Sequence, residues 1–422
     1  MSIDILGWGK VNLSDKKYFK IIGSGVNYFK GTKNYYSTSS VDGNKVLNPE
    51  GEFTYFNRPS RANMQPSNNT VWFAKMKNTL KVVRCSERLV ANSILSTGFS
   101  GIFSDKVHAE YLEQIFLSED FNIQKDNLSE GSTQQAINNS KLKDIYINIP
   151  LNVNEQKKIA EILTKVDEAI ENTEQLIQKY EQVKVGLMQD LLTKGIDVNG
   201  NIRSEETHQF KDSPLGRIPV EWEVVELNSF YASPIRDFGS FSSTKLIEFL
   251  DSGVPFIKSE MVERFFLNWN AITYISEDVH KLLNKSYVKK GNILFSKIGS
   301  ALGKAVVFEE DYQLCNSNAA VAKIDINEKL ASNDFITFYL NSVYAQRQFE
   351  EMIVSLLPRI NLKDINRLLV PKIPLNEQNT IVSILKCILN KNNENKKLLD
   401  KLKQQKKGLM QDLLSRKVCV NY

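Results

Sequence analysis

The stretch Ile149-Pro150-Leu151-Asn152, followed by Glu155-Gln156 and closed by Gly186-Leu187-Met188-Gln189-Asp190-Leu191-Leu192, is written twice in this chain. The same words return near the C-terminus as Ile373-Pro374-Leu375-Asn376, Glu377-Gln378 and Gly408-Leu409-Met410-Gln411-Asp412-Leu413-Leu414. From the Glu-Gln pair to the closing motif the register is constant, since 377 − 155 and 408 − 186 both give 222. A period of this length exceeds any solenoid unit and describes a duplicated domain together with its connector.

Between the landmarks the period is helical. Ile159, Val166, Thr173, Tyr180 and Leu187 recur every seven residues, with Ile162, Ala169, Leu176 and Val183 three further on, and no Gly or Pro intervenes before Gly186. That seam predicts a long amphipathic helix with coiled-coil spacing. The second copy keeps the pattern at Ile381, Ile388, Leu402 and Leu409, with Ile384, Leu385, Leu398 and Leu399 beside them. Each helix of about forty residues would be roughly 60 Å long at 1.5 Å per residue. Neither can bury its seam alone, and the simplest partner for each is the other. Residues 155–194 carry eight acids and six bases (net −2), whereas 377–417 carry four acids and ten bases (net +6). Opposite signs favour pairing of the two copies, although an exposed ion pair contributes only a few tenths of a kcal/mol. Thr173 and its repeat mate Asn395 put polar residues mid-seam, where they would fix register at some cost in stability.

At 422 residues and 42% hydrophobic content the chain can bury two or three ordinary cores. It has no run of eighteen apolar residues, and Met1-Ser2-Ile3-Asp4 opens neither a basic region nor an apolar signal segment, so a soluble cytoplasmic protein is expected. Cys85, Cys315, Cys387 and Cys419 are scattered, and the three histidines, His108, His208 and His280, stand apart. A zinc site or a disulfide framework is not indicated. The net charge of +5 permits nucleic-acid binding without requiring it. Residues 1–148 carry 18 bases and 14 acids (+4) and residues 198–376 carry 20 bases and 22 acids (−2), so any DNA-binding face is a local patch.

The segments divide as follows: a first head over 1–148, a central connector helix over 149–197, a polar linker over 198–213, a second head over 214–373 and a C-terminal connector helix over 374–422. In the first head Tyr18–Ile22, Phe53–Phe56, Val71–Phe73 and Leu80–Val83 read as strands and Ala109–Leu117 as a helix, while Gly31–Ser40 and Asn57–Pro66 read as exposed loops. In the second head Trp222–Leu227, Val254–Ser259 and Asn292–Lys297 read as strands, with a helix near Phe335–Glu351. The heads match each other weakly. Val71-Trp72-Phe73-Ala74-Lys75 aligns with Ile293-Leu294-Phe295-Ser296-Lys297 at the same offset of 222, and Ser96-Thr97-Gly98 aligns with Ser317-Asn318-Ala319 one residue out of register. The expected fold is α+β: two similar heads separated by an antiparallel two-helix coiled coil, with a pseudo-two-fold internal repeat.

Enzymatic motifs are incomplete. Gly299-Ser300-Ala301-Leu302-Gly303-Lys304 has its glycines one residue too close for a phosphate-binding loop, and Ala305 stands where a Mg²⁺-binding hydroxyl would be needed, so a strand-to-strand turn is the better reading. Gly23-Ser24-Gly25 lacks a third Gly and a following helix. No Ser or Cys has a His partner, and no carboxylate pair stands near a Lys in a nuclease spacing. What remains is recognition. Lys30, Lys33, Asn34, Tyr35 and Tyr36 in one loop and Arg58, Arg61 and Asn63 in another combine phosphate-neutralising cations with amides and aromatics able to meet base edges, and Lys75 extends the set. Lys258, Arg264, Lys297, Lys304 and Arg359 are their counterparts in the second head. For each of these a solvated surface charge is an equally simple account.

The alternation of a variable head, a connector carrying Ile-Pro-Leu then Glu-Gln and ending Gly-Leu-Met-Gln-Asp-Leu-Leu, a second head introduced by Gly216-x-Ile218-Pro219-x-x-Trp222, and a second connector resembles the specificity subunits of type I restriction-modification systems. Ile293–Lys297 followed by Cys315-Asn316-Ser317-Asn318-Ala319-Ala320 is also similar to a target-recognition domain of that family. The resemblance covers essentially the whole chain, and the connectors are its specific part. It implies a non-catalytic chain without a cofactor of its own that reads a bipartite sequence in double-stranded DNA, one half-site per head, across a gap set by connector length. Two modification subunits would supply S-adenosylmethionine and adenine-N6 methylation, and restriction subunits would use ATP and Mg. The alternatives are a stand-alone DNA methyltransferase or nuclease, and a coiled-coil scaffold whose heads bind protein.

Overall fold

In the computed structural model, which describes residues 7–131, 135–238, 247–353 and 358–421, the duplication is visible strand by strand. The opening residues Met1–Asp4 lie outside the described residues. The chain divides into two units, 1–175 with 396–422 and 176–395.

In the first unit Trp8–Asn12 pairs antiparallel with Tyr146–Pro150. Four strands lie side by side in the order Lys20–Ile22, Phe99–Phe103, Thr70–Ala74, Val82–Arg84. A second sheet runs Gly51–Phe53, Lys33–Tyr36, Ser93–Ser96, Ala62–Met64, and its middle pair is parallel. The strand Thr70–Ala74 is buried along its whole length, which fits its unbroken Thr-Val-Trp-Phe-Ala run. Gly101 faces Trp72 across the ladder, where a Cβ would stand 2.6 Å from the indole, so only glycine admits that ring.

The second unit repeats this scheme. Glu223–Glu226 pairs with Leu369–Lys372. Tyr231–Arg236, Val321–Ile326, Ile293–Ser296 and Ala305–Val307 reproduce the four-stranded order, and Thr273–Ile275, Val254–Ile257 and Asn316–Ser317 reproduce three strands of the other sheet with the same parallel pair. Among the described residues, Ala62–Met64 has no counterpart. The fold is α+β, as expected.

Hydrogen bonds fix the repeat more finely than the sequence could. Lys75 N donates to Gly98 O at 2.9 Å and Lys297 N to Ala320 O at 2.8 Å. Gly98 N donates to Ser96 Oγ and Ala320 N to Asn318 Oδ1, both at 3.1 Å. Ser96 therefore corresponds to Asn318 at the common offset of 222, and the expected one-residue slip is corrected. Side-chain similarity misled because the position conserves an acceptor for the turn rather than a residue type.

Several local expectations change. The segment Gly31–Ser40 contains the strand Lys33–Tyr36, and Asn57–Pro66 contains Ala62–Met64, since polar residues suit half-exposed strands as well as loops. The strand at Phe53 ends there, because Asn57 Oδ1 accepts from Thr54 N at 2.7 Å and Thr54 Oγ1 at 2.8 Å and turns the chain. Phe335–Glu351 is two helices, Asn333–Leu340 and Val343–Met352, broken where Ser342 Oγ accepts from Ala345 N. The helices Ala109–Leu117 and Glu119–Asn127 are likewise broken at Ser118. Within the 198–213 stretch, Phe210–Ser213 forms a hairpin with Gly216–Pro219, and Arg203 is buried.

The connectors are the helices Val153–Thr193 and Leu375–Leu414. In the first unit Asp167 meets Lys406 at 2.5 Å and Glu174 meets Lys403 at 3.0 Å. In the second unit Asn392 donates to Glu181, and Met188 and Leu191 share a core with Ile381 and Leu385. In both places numbers rise along one helix as they fall along the other, so the pair is antiparallel. The seam is not uniformly dry: Leu176, Val183 and Leu398 are exposed, because two helices leave a flank that heptad counting cannot see. In the middle of the second helix the buried polar residue is Asn392, while Asn395 is only half-buried.

The repeated Glu-Gln pair has a structural meaning. Gln156 Oε1 accepts from His108 N at 2.7 Å and its amide donates to Pro150 O at 2.8 Å. Gln378 does the same with Ser332 N at 2.8 Å and Ile373 O at 2.9 Å. Each glutamine ties the first turn of a connector to the strand before it and to a helix start in the adjoining head. The glutamates diverge. Glu155 accepts from Trp8 Nε1 at 3.0 Å, whereas Glu377 forms a buried bidentate pair with Arg203 at 2.5 and 3.2 Å.

Candidate nucleic-acid interface

Apart from Lys75, which follows the strand Thr70–Ala74, the recognition candidates of the first unit fall on the sheet Gly51–Phe53, Lys33–Tyr36, Ser93–Ser96, Ala62–Met64 and its loops. Lys30 and Arg61 are exposed. Lys33, on the strand Lys33–Tyr36, holds its ammonium 5.2 Å from the centre of the Phe29 ring, and burial pulls its pKa below the ordinary lysine value. Asn34 sits beside Lys33, opposite Ser93 of the parallel neighbour. Asn63 lies on Ala62–Met64, two strands away in the same sheet, and its carbonyl accepts from Gly25 N at 2.8 Å. The sheet thus brings the two loops singled out by sequence onto one scaffold, although they are 30 residues apart.

Other candidates are spent on structure. Tyr35 is 4% exposed and packs with Val26, Ala62 and Ile94, so it cannot meet a base edge. Its alternation along a half-buried strand, with the ring on the inner face, accounts for this. Tyr36 is half-buried against the neighbouring core. Arg58 stacks on Tyr55, with its guanidinium carbon 4.2 Å from the ring centre, and donates to Ala62 O at 3.1 Å and to Tyr55 O. It shapes the loop and leaves only part of its fork for a phosphate. Lys75 is half-buried, and burial lowers its pKa.

In the second unit Lys297 is 1% exposed, and its ammonium lies 2.5 Å from Asp237. Burial pulls its pKa down against the opposing pull of Asp237. It is a buried ion pair rather than the exposed cation expected, because it follows the strand Ile293–Ser296, which is covered on both faces. Lys304 is engaged by Glu263 at 2.7 Å. Lys258 stands 4.2 Å from the centre of the Phe249 ring. Arg264 and Arg359 are exposed. Gly299–Lys304 links Ile293–Ser296 to Ala305–Val307 as a turn, with Gly299 and Gly303 at φ +80° and +78°.

The aromatic part of the first interface escaped sequence reading. Tyr28, Phe29, Tyr55 and Phe56 form one cluster, with centroid separations of 5.4 Å for Tyr28–Tyr55, 5.8 Å for Phe29–Tyr55 and 5.4 Å for Tyr55–Phe56. Two aromatic doublets flanked by Lys30, Lys33 and Arg58 were the available signal. The arrangement can neutralise phosphates and offer ring faces to bases.

Comparison with known proteins agrees with this architecture. The family model for the type I restriction modification DNA specificity domain matches twice, over residues 9–182 and 219–404. The putative type I restriction enzyme MjaX specificity subunit of Methanocaldococcus jannaschii is 30% identical over 289 residues, covering 68% of this chain and 62% of the relative. The MjaVIII specificity subunit of the same organism is 26% identical over 279 residues, covering 65% and 63%. The match therefore spans less than two thirds of either relative. Among solved structures, the type I restriction-modification S subunit from M. genitalium superposes with a TM-score of 0.60 at 16% identity, covering 98% of this chain and 97% of that one. A chain from work on complex assembly and conformational transition of the type I R-M system gives 0.57 at 18% identity and covers 97% of both. At these identities the structural likeness bears on the fold alone. With its family model matched once in each unit over most of its length, this chain belongs to the type I restriction-modification DNA specificity family.

Proposed function

We propose that this chain is the non-catalytic, DNA-reading subunit of a type I restriction-modification complex, each unit reading one half of a bipartite site in double-stranded DNA. The observation that carries this reading is the duplicated fold with diverged loops. Equivalent sheets recur, while Lys30, Lys33, Arg58 and Arg61 with their aromatics give way to Lys258, Arg264 and Arg359. Two copies of one scaffold with different exposed chemistry suit two different half-sites.

Catalysis belongs, on this reading, to partners in the cytoplasm. Two modification subunits bring S-adenosylmethionine, flip the target adenine and methylate its N6, and restriction subunits use ATP and Mg. Each connector helix contributes residues to both units, which supports a gap length set by the connectors.

The test is an exchange of residues 1–148 for the corresponding head of another family member, followed by mapping of methylated adenines in cells that also express the modification subunit. One half of the methylated motif is expected to change while the other half persists. An unchanged motif, or simultaneous change of both halves, would refute the assignment of one half-site to each unit.

A further inference from the structure

Resting on the DNA-reading assignment, we propose that the aromatic cluster of the first unit is a stacking site for bases of a locally opened DNA step, with Phe56 and Tyr28 as the inserting rings and Phe249 as the counterpart of Tyr28 in the second unit.

Phe56 is 84% exposed and Tyr28 62% exposed, an unusual disposition for two large rings in contact. Their centroids lie 6.1 Å apart, and both lean on Tyr55 at 5.4 Å, so the cluster is ordered before any ligand arrives. Its base is fixed by the Thr54–Asn57 hydrogen bonds and by Arg58, whose guanidinium covers Tyr55. Pre-organised rings lose little entropy on binding.

The charge around the cluster selects the occupant. Lys33 sits over Phe29, Lys30 follows Phe29 in sequence, and Arg58 covers Tyr55. The nearby acids Glu52 and Glu50 stay anionic and are held by hydroxyls, Glu52 by Thr32 Oγ1 at 3.2 Å and Glu50 by Ser39 Oγ at 2.7 Å and by Ser37, and the cations outnumber them here. Exposed rings beside cations complement a ligand that carries π-faces and phosphates together, which a DNA step supplies once it is unstacked.

The internal repeat adds an independent observation. The parallel pairs set Tyr35 opposite Ile94 and Phe256 opposite Asn316. Since 316 − 94 is the common 222, Tyr35 corresponds to Phe256 and the local offset is 221. Tyr28 then maps onto Phe249, which is 49% exposed, packs on Phe256 at 5.8 Å and carries Lys258 on its ring at 4.2 Å. An exposed aromatic thus recurs at one place in two units whose loops otherwise differ, with the cation on that ring itself in the second unit and on the neighbouring rings Phe29 and Tyr55 in the first. Tyr55 and Phe56 map onto Glu277 and Asp278 at the 222 offset, so the second unit would open its step less.

The test uses the full chain. Duplexes are enriched from a random library by the wild type, affinity is read by fluorescence anisotropy, and unstacked bases are read by permanganate for thymines and diethylpyrocarbonate for purines. Phe56→Ala and Tyr28→Ala are each expected to weaken binding about tenfold and to abolish hyper-reactivity at one step of one half-site, while Phe56→Trp keeps both. Phe249→Ala is expected to act on the other half-site only. The proposal is overturned if the enriched duplex shows no hyper-reactive base, if the alanine variants bind within twofold of wild type, or if they lose only association with a modification subunit. That last result would mark the surface as a protein-docking patch. Failure of the wild type to enrich any bipartite sequence would instead refute the DNA-reading assignment itself, and the two failures are thereby distinguished.

Discussion

Replacing Arg203 by Met is expected to destabilise the second unit by about 3–5 kcal/mol, because it strands a buried carboxylate. Arg203 and Glu377 are both buried and meet through two hydrogen bonds, at 2.5 and 3.2 Å. Arg203 Nε also meets the more exposed Glu221 at 2.8 Å. With the guanidinium gone, Glu377 Oε1 retains the backbone N–H of Ile196 at 3.1 Å. Among the described residues no other cation pairs with Glu377, and Gly195 offers no room to relax, since a Cβ there would meet Glu377 at 2.1 Å and the Trp222 ring at 2.3 Å. Glu377→Gln should cost less, about 1–2 kcal/mol, because it keeps an acceptor for Ile196 and leaves Arg203 its Glu221 partner. The double variant Arg203→Met with Glu377→Gln removes both charges and should be no less stable than Arg203→Met alone. A coupling of about 1–3 kcal/mol is therefore expected in the double-mutant cycle. Urea unfolding followed by tryptophan fluorescence measures it, with Trp222 packed against this site as the reporter. In thermal melts the single Arg203 change corresponds to a drop on the order of 6–20 °C for a unit of this size. A loss below about 1 kcal/mol for Arg203→Met, or strictly additive single changes, would refute the reasoning.

The two glutamines offer a symmetry test. Gln156→Ala and Gln378→Ala each remove a partner from a backbone carbonyl just ahead of the connector and from a helix-start N–H, at matched distances, so each should cost about 2–4 kcal/mol and the two losses should agree within about 1 kcal/mol by the same urea assay. Unequal losses would show that the repeat shares geometry without sharing energetics. Thiol chemistry tests the cores. Burial pushes the Cys315 thiol up to about 12, so it stays protonated through neutral and mildly alkaline pH, while Cys387 and Cys419 are exposed. In a thiol-labelling time course, the two exposed cysteines should react in the native protein, and Cys315 should label only after unfolding. Rapid labelling of Cys315 in the native protein would contradict its packing against Leu294 and Phe308.

The sequence by itself determined the duplication, the two long helices and the family, because these rest on periodicity and on repeated words that survive divergence at the surface. It also located the cation-bearing loops around Lys30, Arg58 and Arg61, since local composition suffices for that. It could not tell Lys297 from Lys258: both follow apolar strands, yet one is buried against Asp237 and the other lies on an exposed ring. Nor could it join Tyr28 to Phe56, which meet only because Lys33–Tyr36 pairs with Gly51–Phe53 and draws their flanking loops together. Which face of a strand a side chain takes, and which distant loop lies beside it, depend on pairing between segments far apart in the chain. Tertiary structure alone decided those contacts, because a local pattern fixes the period of an element but carries no record of its neighbours.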